Sequence, residues 1–275
     1  MTDTFTTVLD DRAVLAIDGD DARMLLQGLV TVDLDRLGDT GHVFGALLAP
    51  QGKIQFDFFI HAHDGRLLID MDRDRASDFL KRMMLYKLRS DVTLADVSDT
   101  YHVRVSWGAA PIGTRDARLA ALGTRDVVEG STESNATPDT YHAHRMSLGV
   151  PEAGKDFSYD DIFPHDAMLD ALKGVDFDKG CYVGQEVVSR MQHRGTARKR
   201  FFHVEAAASL PAAGEAVESD GKPIGTLGGS LGSKGLALVR TDRLEAAQSS
   251  PHVSDLDVII TEPDYFTSFK TAKSQ

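Results

Sequence analysis

The sequence is poor in cysteine, because its 275 residues include only one, Cys181. A single thiol excludes an intrachain disulfide framework. It also excludes any metal site built from several of the chain's own thiolates. This cysteine usage is typical of proteins in a reduced compartment. We therefore expect a cytoplasmic protein.

Long apolar runs and an N-terminal targeting pattern are also missing. No stretch approaches the roughly 18 uninterrupted apolar residues that a membrane span requires. The first residues, MTDTFTTVLDDR, lack the basic and apolar regions of a secretory signal. The sequence predicts no membrane partner.

Basic residues are fewer than acidic ones, with 30 Lys and Arg against 42 Asp and Glu, and the formal net charge is −12. This balance argues against a protein that coats nucleic acid through its overall charge, although a local basic patch remains compatible with such binding. Hydrophobic residues make up 42% of the chain. The chain is therefore long enough and apolar enough to bury a substantial core.

The first half of the sequence alternates strand and helix patterns. Residues 12–17 predict a strand, and Ala22, Leu25, Leu26 and Leu29 have the i, i+3, i+4, i+7 spacing of a helix. Further predictions cover three β-like runs and a second helix, followed by loops and a later helix. The β-like runs are 43–49, 53–62 and 66–72, the second helix is 73–88, the loops are 108–139 with one short helix, and the later helix is 164–173.

Composition changes near residue 200, where glycine-rich turns begin to separate short apolar runs. That spacing predicts a small antiparallel β-barrel at the C-terminus. The predicted division is therefore 1–197 for the first domain and 198–275 for the barrel domain.

The segment with the most distinctive chemistry is KGCYVGQEVVSR, residues 179–190, which contains the only cysteine. Glycines at 180 and 184 suit a tight loop, and a helix is expected to begin near Gly184 or Gln185. A thiol just before a helix is stabilised as thiolate by the helix dipole, and the charge of Lys179 acts in the same direction.

Cys181 admits three interpretations from its chemistry alone. Free cysteine is often simply a small buried hydrophobic residue. A nucleophile would need a base, for which His165 and His193 are candidates. One thiolate cannot complete a four-ligand metal site, but it can supply one ligand to an iron–sulfur cluster shared with a partner.

A basic stretch follows at residues 190–200, where five basic residues and no acidic residue occur. It is suited to the glutamate tail of a folate, to RNA phosphates or to an acidic partner. The alternative is a solvated strand edge whose charges oppose aggregation.

Five ordered motifs together resemble the YgfZ family of folate-binding proteins, which are relatives of the glycine-cleavage T-protein, an aminomethyltransferase. The most specific motif is KGCYVGQEVVSR. The others are LLQGLVTVDL (25–34), LLAPQGKIQFDFFI (47–60), YKLRSDV (86–92) and RMSLGVPE (145–152).

The resemblance implies an α+β, T-protein-like architecture, with three lobes around a central folate channel and a C-terminal antiparallel β-barrel. It implies tetrahydrofolate or a derivative as cofactor. By similarity, the residues expected to bind it are Gln27, Thr31, Asp33, Lys53, Arg145, Gln185 and Glu186.

The resemblance also implies a role in assembling or repairing iron–sulfur proteins, including enzymes that modify tRNA. Cys181 is then the key thiol, acting as a transient, shared cluster ligand or as a redox thiol, with Lys179 and Tyr182 shaping its loop. The implied partners are an A-type iron–sulfur carrier and client iron–sulfur enzymes. Direct tRNA binding is disfavoured by the net charge.

One departure weakens the alternative, a tetrahydrofolate-dependent aminomethyltransferase. The T-protein has paired aspartates at the position where this chain reads Ile54-Gln55-Phe56-Asp57, so at most Asp57 is retained. The transfer needs a carboxylate beside the folate nitrogens, and the phenyl ring of Phe56 cannot replace it. We therefore expect an accessory factor rather than an enzyme.

Overall fold

The computed structural model describes residues 3–130 and 132–273, which form two compact units. The first unit comprises residues 1–141 and 172–186, and the second comprises residues 142–171 and 187–275. The sequence division at 197/198 stays a prediction about domains. In the described part of the chain, no helix has the length and apolar character needed to cross a membrane.

The first unit contains two antiparallel sheets. The larger has the strand order β3-β4-β5-β2-β6, and the smaller has the order β1-β7-β8. Their strands are β1 Thr4–Leu9, β2 Arg12–Asp18, β3 His42–Leu48, β4 Ile54–His63, β5 Arg66–Asp72, β6 Thr93–Asp96, β7 Tyr101–Gly108 and β8 Thr124–Glu129.

The helices of the first unit are short. They are α1 Ala22–Gln27, α2 Leu37–Thr40 and α3 Ala76–Lys87, and α4 Pro138–Ser147 begins in this unit and continues into the second. The strands and helices predicted for residues 12–88 are thus confirmed, with α1 ending two residues earlier than its periodicity suggests.

The larger sheet is buried on both faces, which explains its nearly continuous apolar strands. Along β2, Leu15 and Ile17 point into one core with α1 and α3, whereas Val14 and Ala16 point into a second core with β7. Successive side chains of a strand alternate between faces. The near-absence of polar positions in RAVLAI therefore follows from the sheet lying between two cores.

Two local predictions are wrong. Residues 164–173 form irregular turns rather than a helix, because Met168 (φ 64°) and Lys173 (φ 59°) adopt left-handed backbone that no α-helix contains. The segment 108–139, predicted as loops, contains β8, which pairs along its whole length with β7.

The second unit contains the closed antiparallel barrel β10-β11-β12-β9-β14-β13. This confirms the predicted α+β class with a C-terminal barrel. Its elements are β9 Lys199–Ala206, β10 Ala216–Ser219, β11 Lys222–Leu231, β12 Lys234–Arg240, α6 Thr241–Ala246, β13 His252–Val253, β14 Leu256–Thr261 and α7 Asp264–Lys273. Helix α5 Gln185–Arg194 precedes the barrel in sequence.

Candidate functional site

The loop at residues 179–184 exposes its residues 180 and 181 between two buried side chains. Lys179 and Tyr182 are each only 7% exposed, whereas Gly180 and Cys181 between them are exposed. The buried pair anchors the loop, and the ammonium group of Lys179 lies 5.3 Å from the centroid of the Tyr182 ring. The only thiol of the chain is therefore presented to solvent by two buried neighbours.

Lys179 is anchored by backbone carbonyls. Its Nζ donates to the carbonyl oxygens of Gln27 (2.8 Å), Val30 (2.6 Å) and Val32 (3.1 Å). The Gln27 carbonyl lies at the C-terminal end of α1, where free carbonyls favour a cation. An ammonium group has three donors, so all of them are used here and none is left for the thiol. The sequence predicts that Lys179 favours the thiolate form of Cys181, but the Lys179 ammonium group donates no hydrogen bond to the thiol.

The ionisation of both anchors is shifted by burial. Burial lowers the pKa of Lys179 to about 8, although the nearby carboxylates of Asp33 and Asp176 oppose the change. Burial, aided by Asp176, raises the pKa of Tyr182 to about 12. Tyr182 is therefore a neutral phenol at physiological pH and not a base.

Thr31 holds the segment that precedes this loop. Its hydroxyl donates to the Gly174 carbonyl (2.6 Å) and accepts from the Ala46 amide (2.9 Å), while its own carbonyl accepts from the Asp176 amide (2.9 Å). These bonds hold residues 174–176 and strand β3 together. The Thr31 side chain is fully buried.

Gln27 and Asp33 close the turn that carries these carbonyls. The Gln27 amide donates to the Asp33 carboxylate (3.0 Å) and accepts from the Leu34 amide (2.9 Å). A hydrogen bond from the Asp35 amide is the largest influence that lowers the pKa of Asp33. Gln27 and Asp33 therefore shape the turn on which Lys179 rests.

Gly184 packs the end of the loop against the turn that precedes β4. Its φ is +80°, and a Cβ there would lie 2.7 Å from the Ala49 carbonyl oxygen and 3.2 Å from the Gly52 Cα. Both the backbone conformation and the close approach require glycine. The expected helix starts at the next residue, Gln185. Lys53, half-buried, ends the same turn, where its carbonyl accepts from the Ala49 amide (2.8 Å).

The remaining predicted site residues divide between exposed helix positions and the second unit. Gln185 is half-buried and Glu186 is exposed in the first turn of α5. Arg145 belongs to the second unit, where it is 1% exposed and pairs with Asp156 (2.5 Å) and Glu152 (3.3 Å). Arg145 thus has a structural role within its own unit.

The histidines considered as bases for Cys181 also belong to the second unit. His165 is buried beside Gln192 (3.2 Å), and burial lowers its pKa, whereas His193 is exposed on α5. In the basic stretch 190–200, Arg200 is buried against Asp170 (2.8 Å), and Arg198 approaches Asp242 (3.8 Å). Part of this basic charge is therefore neutralised internally.

Three of the seven residues expected to bind folate have polar groups that are already engaged within the chain. The Thr31 hydroxyl uses its donor and an acceptor position internally, the Gln27 amide is engaged at both ends, and Arg145 is held by two carboxylates. Phe56 is a core residue whose ring packs on Phe79. Sequence patterns could not reveal the role of Thr31, because its hydroxyl binds backbone atoms of the distant residues Ala46 and Gly174.

Comparison with known proteins shows which proteins the chain is similar to. Residues 198–268 match the family model described as the CAF17 C-terminal beta-barrel domain. The iron–sulfur cluster assembly factor IBA57 homologue of Mycosarcoma maydis is 36% identical over 217 residues, covering 69% of this chain and 54% of that protein. The chain is therefore similar to the IBA57 iron–sulfur cluster assembly factors over about two thirds of its length.

Two further IBA57-family proteins extend the match. The Neurospora crassa homologue is 32% identical, and the match covers 79% of this chain and 59% of that protein. The human protein is 28% identical, and the match covers 86% of this chain and 78% of that protein. The chain thus spans somewhat more than half the length of the two fungal relatives. These relatives are named as mitochondrial proteins, so the cytoplasmic location predicted above is wrong.

The predicted T-protein-like fold is confirmed by a solved structure. The glycine cleavage system aminomethyltransferase T from Bartonella henselae superimposes with a TM-score of 0.69, covering 96% of this chain and 86% of that chain. The sequences are only 13% identical. The likeness to that protein is therefore one of fold.

Proposed function

We propose that this chain is an iron–sulfur cluster assembly factor in which Cys181 supplies one thiolate ligand to a cluster shared with an iron–sulfur carrier of the A type. The observation that carries the proposal is the exposure of Cys181 on a loop anchored by Lys179 and Tyr182. A cluster needs several ligands and this chain has one thiol. Sharing with a partner therefore follows from the chemistry, and the names of the IBA57-family relatives support it.

The contacts of the loop order the Cys181 backbone before a cluster binds. An exposed cysteine on a mobile loop would lose conformational entropy each time it became a ligand. The carbonyl contacts of Lys179 and the packing of Gly184 fix the backbone on both sides of Cys181 before any cluster arrives. The conformational entropy of Cys181 is therefore already lost when the chain folds, and cluster binding does not have to reduce it again.

The test in cells is complementation of a strain that lacks the native protein. Cys181→Ser is expected to reduce the activity of a [4Fe–4S] enzyme to the level of the empty strain at equal protein abundance. Gly180→Ala is the matched control, because its Cβ meets no atom within 4 Å. Full enzyme activity with Cys181→Ser would refute the proposal.

Client enzymes that modify tRNA belong to the same proposal, following the resemblance to YgfZ proteins. Their activity is read directly from the methylthiolated nucleosides of total tRNA by mass spectrometry. We expect a loss with Cys181→Ser and not with Gly180→Ala. Unchanged nucleoside levels would remove these enzymes from the proposed clients.

Tetrahydrofolate binding stays a prediction of the sequence resemblance, and the proposed role of Cys181 does not depend on it. Equilibrium dialysis of the full chain with labelled tetrahydrofolate measures it. The aminomethyltransferase alternative is disfavoured, because Phe56 stands in the core where the transfer would need a carboxylate.

A further inference from the structure

Leu88 occupies a backbone conformation that normally belongs to glycine. It follows the last residue of α3 with φ 45° and ψ −103°, and the Ser90 amide donates to the Lys87 carbonyl (2.7 Å) across it. These angles and this bond define Leu88 as the first central residue of a type II′ turn. That position favours glycine, because a Cβ is strained there.

The fold gains no burial in return for this strain. The Leu88 side chain is 83% exposed. A glycine would relieve the backbone strain, and a polar residue would avoid exposing an apolar side chain. Leucine is therefore unfavourable here both for its backbone conformation and for its exposure. Residues that are locally unfavourable in this way concentrate at functional positions.

The turn that carries Leu88 is fixed. The Lys87 ammonium donates to the Val92 carbonyl (2.6 Å), and the Asp91 amide donates to the Asp21 carboxylate (2.8 Å). The Asp21 amide returns a bond to the Asp91 carbonyl (3.3 Å). Hydrogen bonds to Val92 and Asp21 therefore fix the turn that exposes Leu88 next to α1.

Two more apolar side chains continue the surface along α3. Met84 is 55% exposed and Leu85 is 67% exposed. They lie in the last turn of α3, four and three residues before Leu88, so the three exposed apolar side chains all belong to the C-terminal end of this helix. Single exposed apolar residues are ordinary, but a contiguous group indicates an interaction site.

The helix end around this apolar group carries a net positive charge. Residues 78–91 contain four basic residues and two acidic ones, Asp78 and Asp91, in a chain of net charge −12; the basic residues are Lys81, Arg82, Lys87 and Arg89. Lys81 and Arg89 are exposed. A complementary partner presents an apolar pocket bordered by carboxylates.

Helix α1 connects this surface to the cysteine loop. Asp21, just before α1, binds the Leu88 turn, and Gln27, its last residue, binds Lys179. Six helical residues rise roughly 9 Å. A folded partner domain of about 100 residues has a radius of gyration of about 13 Å, which exceeds this rise, so one domain is large enough to reach both.

We propose that Met84, Leu85 and Leu88 form the docking surface for the carrier that shares a cluster with Cys181. This proposal rests on the proposed function. The carrier inserts Leu88 into an apolar pocket, and its acidic border faces the basic residues of α3. Docking on this surface holds the carrier while Cys181 acts as ligand.

Calorimetric titration of the full-length chain with the apo form of the A-type carrier tests the proposal. Leu88→Gly and Leu85→Ser are each expected to weaken binding at least tenfold. Ile259→Ser is the matched control, because Ile259 is 68% exposed on the barrel, and it is expected to bind as wild type. Urea unfolding of Leu88→Gly is expected to show no loss of stability, which separates lost docking from lost folding.

Wild-type affinity in both Leu88→Gly and Leu85→Ser would overturn the proposal, as would an equal loss in Ile259→Ser. It would also be overturned if Leu88→Gly abolished self-association in sedimentation equilibrium, or binding to anionic vesicles, while carrier affinity stayed unchanged. Cys181→Ser is expected to bind the apo carrier normally. Patch-dependent binding without any Cys181-dependent cluster would refute the proposed function and leave the docking surface standing.

Discussion

Lys179 acts as a clasp, because its ammonium group binds three carbonyls of the turn that follows α1. Replacing it with methionine removes the donors and leaves these buried acceptors unsatisfied. Unsatisfied buried groups cost about 1–3 kcal/mol each. We expect Lys179→Met to lower the free energy of unfolding by about 3 kcal/mol in urea titrations. A loss smaller than 1 kcal/mol would show that the clasp is dispensable.

The lowered pKa of Lys179 makes stability depend on pH in a defined direction. The pKa is about 8 in the folded chain and near 10.5 when the lysine is exposed on unfolding. Between these values the unfolded state binds more protons, so the lysine's contribution to the free energy of unfolding increases with pH. We expect wild type to gain stability relative to Lys179→Met from pH 7.5 to 9.5. Parallel pH profiles would contradict the burial of the ammonium group.

Gly184 and Gly180 provide a matched pair at the two sides of Cys181. Gly184→Ala forces a Cβ against Ala49 at positive φ, whereas Gly180→Ala meets open space. We expect Gly184→Ala to lose about 1–3 kcal/mol of stability, the range of strained backbone positions, and Gly180→Ala to change it by less than 0.5 kcal/mol. Equal stabilities in thermal unfolding would refute the close packing of this loop.

At the scale of residues, the sequence identifies Cys181 but not the hydrogen bonds that fix its loop. Cys181 is recognisable because its neighbours are polar and flanked by glycines. The partners of Lys179 are carbonyls about 150 positions earlier in the chain, and no local pattern encodes them. Thr31 and Gln27, expected at a folate site, bind within the chain: the Thr31 hydroxyl donates to the Gly174 carbonyl, and the Gln27 side chain accepts from the Leu34 amide.

At the scale of elements, Asp70 links the two sheets of the first unit. From β5 it binds Arg12 of β2 (2.7 Å) and Arg125 of β8 (2.6 Å), and it is fully buried. Burial alone would raise the pKa of Asp70, but the two arginines outweigh it and hold the pKa well below its usual range.

Asp70→Asn removes the carboxylate charge that the buried Arg12 and Arg125 guanidinium groups share. Breaking a buried ion pair in this way costs about 3–5 kcal/mol, and we expect a loss of that size in urea unfolding. Asp78→Asn is the control, because Asp78 pairs with Lys81 on the surface, where such pairs contribute roughly 0–1 kcal/mol. Similar losses in the two variants would contradict the linking role of Asp70.

Periodicity predicted the elements whose burial is regular and missed those whose geometry is set by distant partners. Strands β2 to β5 and helices α1 and α3 have clear apolar spacing. Strand β8 reads TRDVVE and is half charged, so only its pairing with β7 makes it a strand. Residues 164–173 have a good helical start at Pro164, but Met168 adopts a left-handed conformation that ends any helix.

At the scale of the whole molecule, the fold was predictable from ordered motifs and the barrel from its glycine-rich turns. The likeness to an aminomethyltransferase at 13% identity shows that the same fold tolerates almost complete sequence change. The location inferred from cysteine usage failed, because a reduced thiol is compatible with more than one compartment. The proposed function therefore rests on the exposed thiol and its surroundings rather than on the fold.

The central claim is that Cys181 completes a cluster only together with a carrier. Anaerobic reconstitution with iron and sulfide, followed by absorbance and Mössbauer spectra, tests it on the wild-type chain and Cys181→Ser, each alone and with an A-type carrier. We predict a new cluster signature for wild type with the carrier, and none for either chain alone or for Cys181→Ser with the carrier. An identical signature with Cys181→Ser and the carrier would contradict the account.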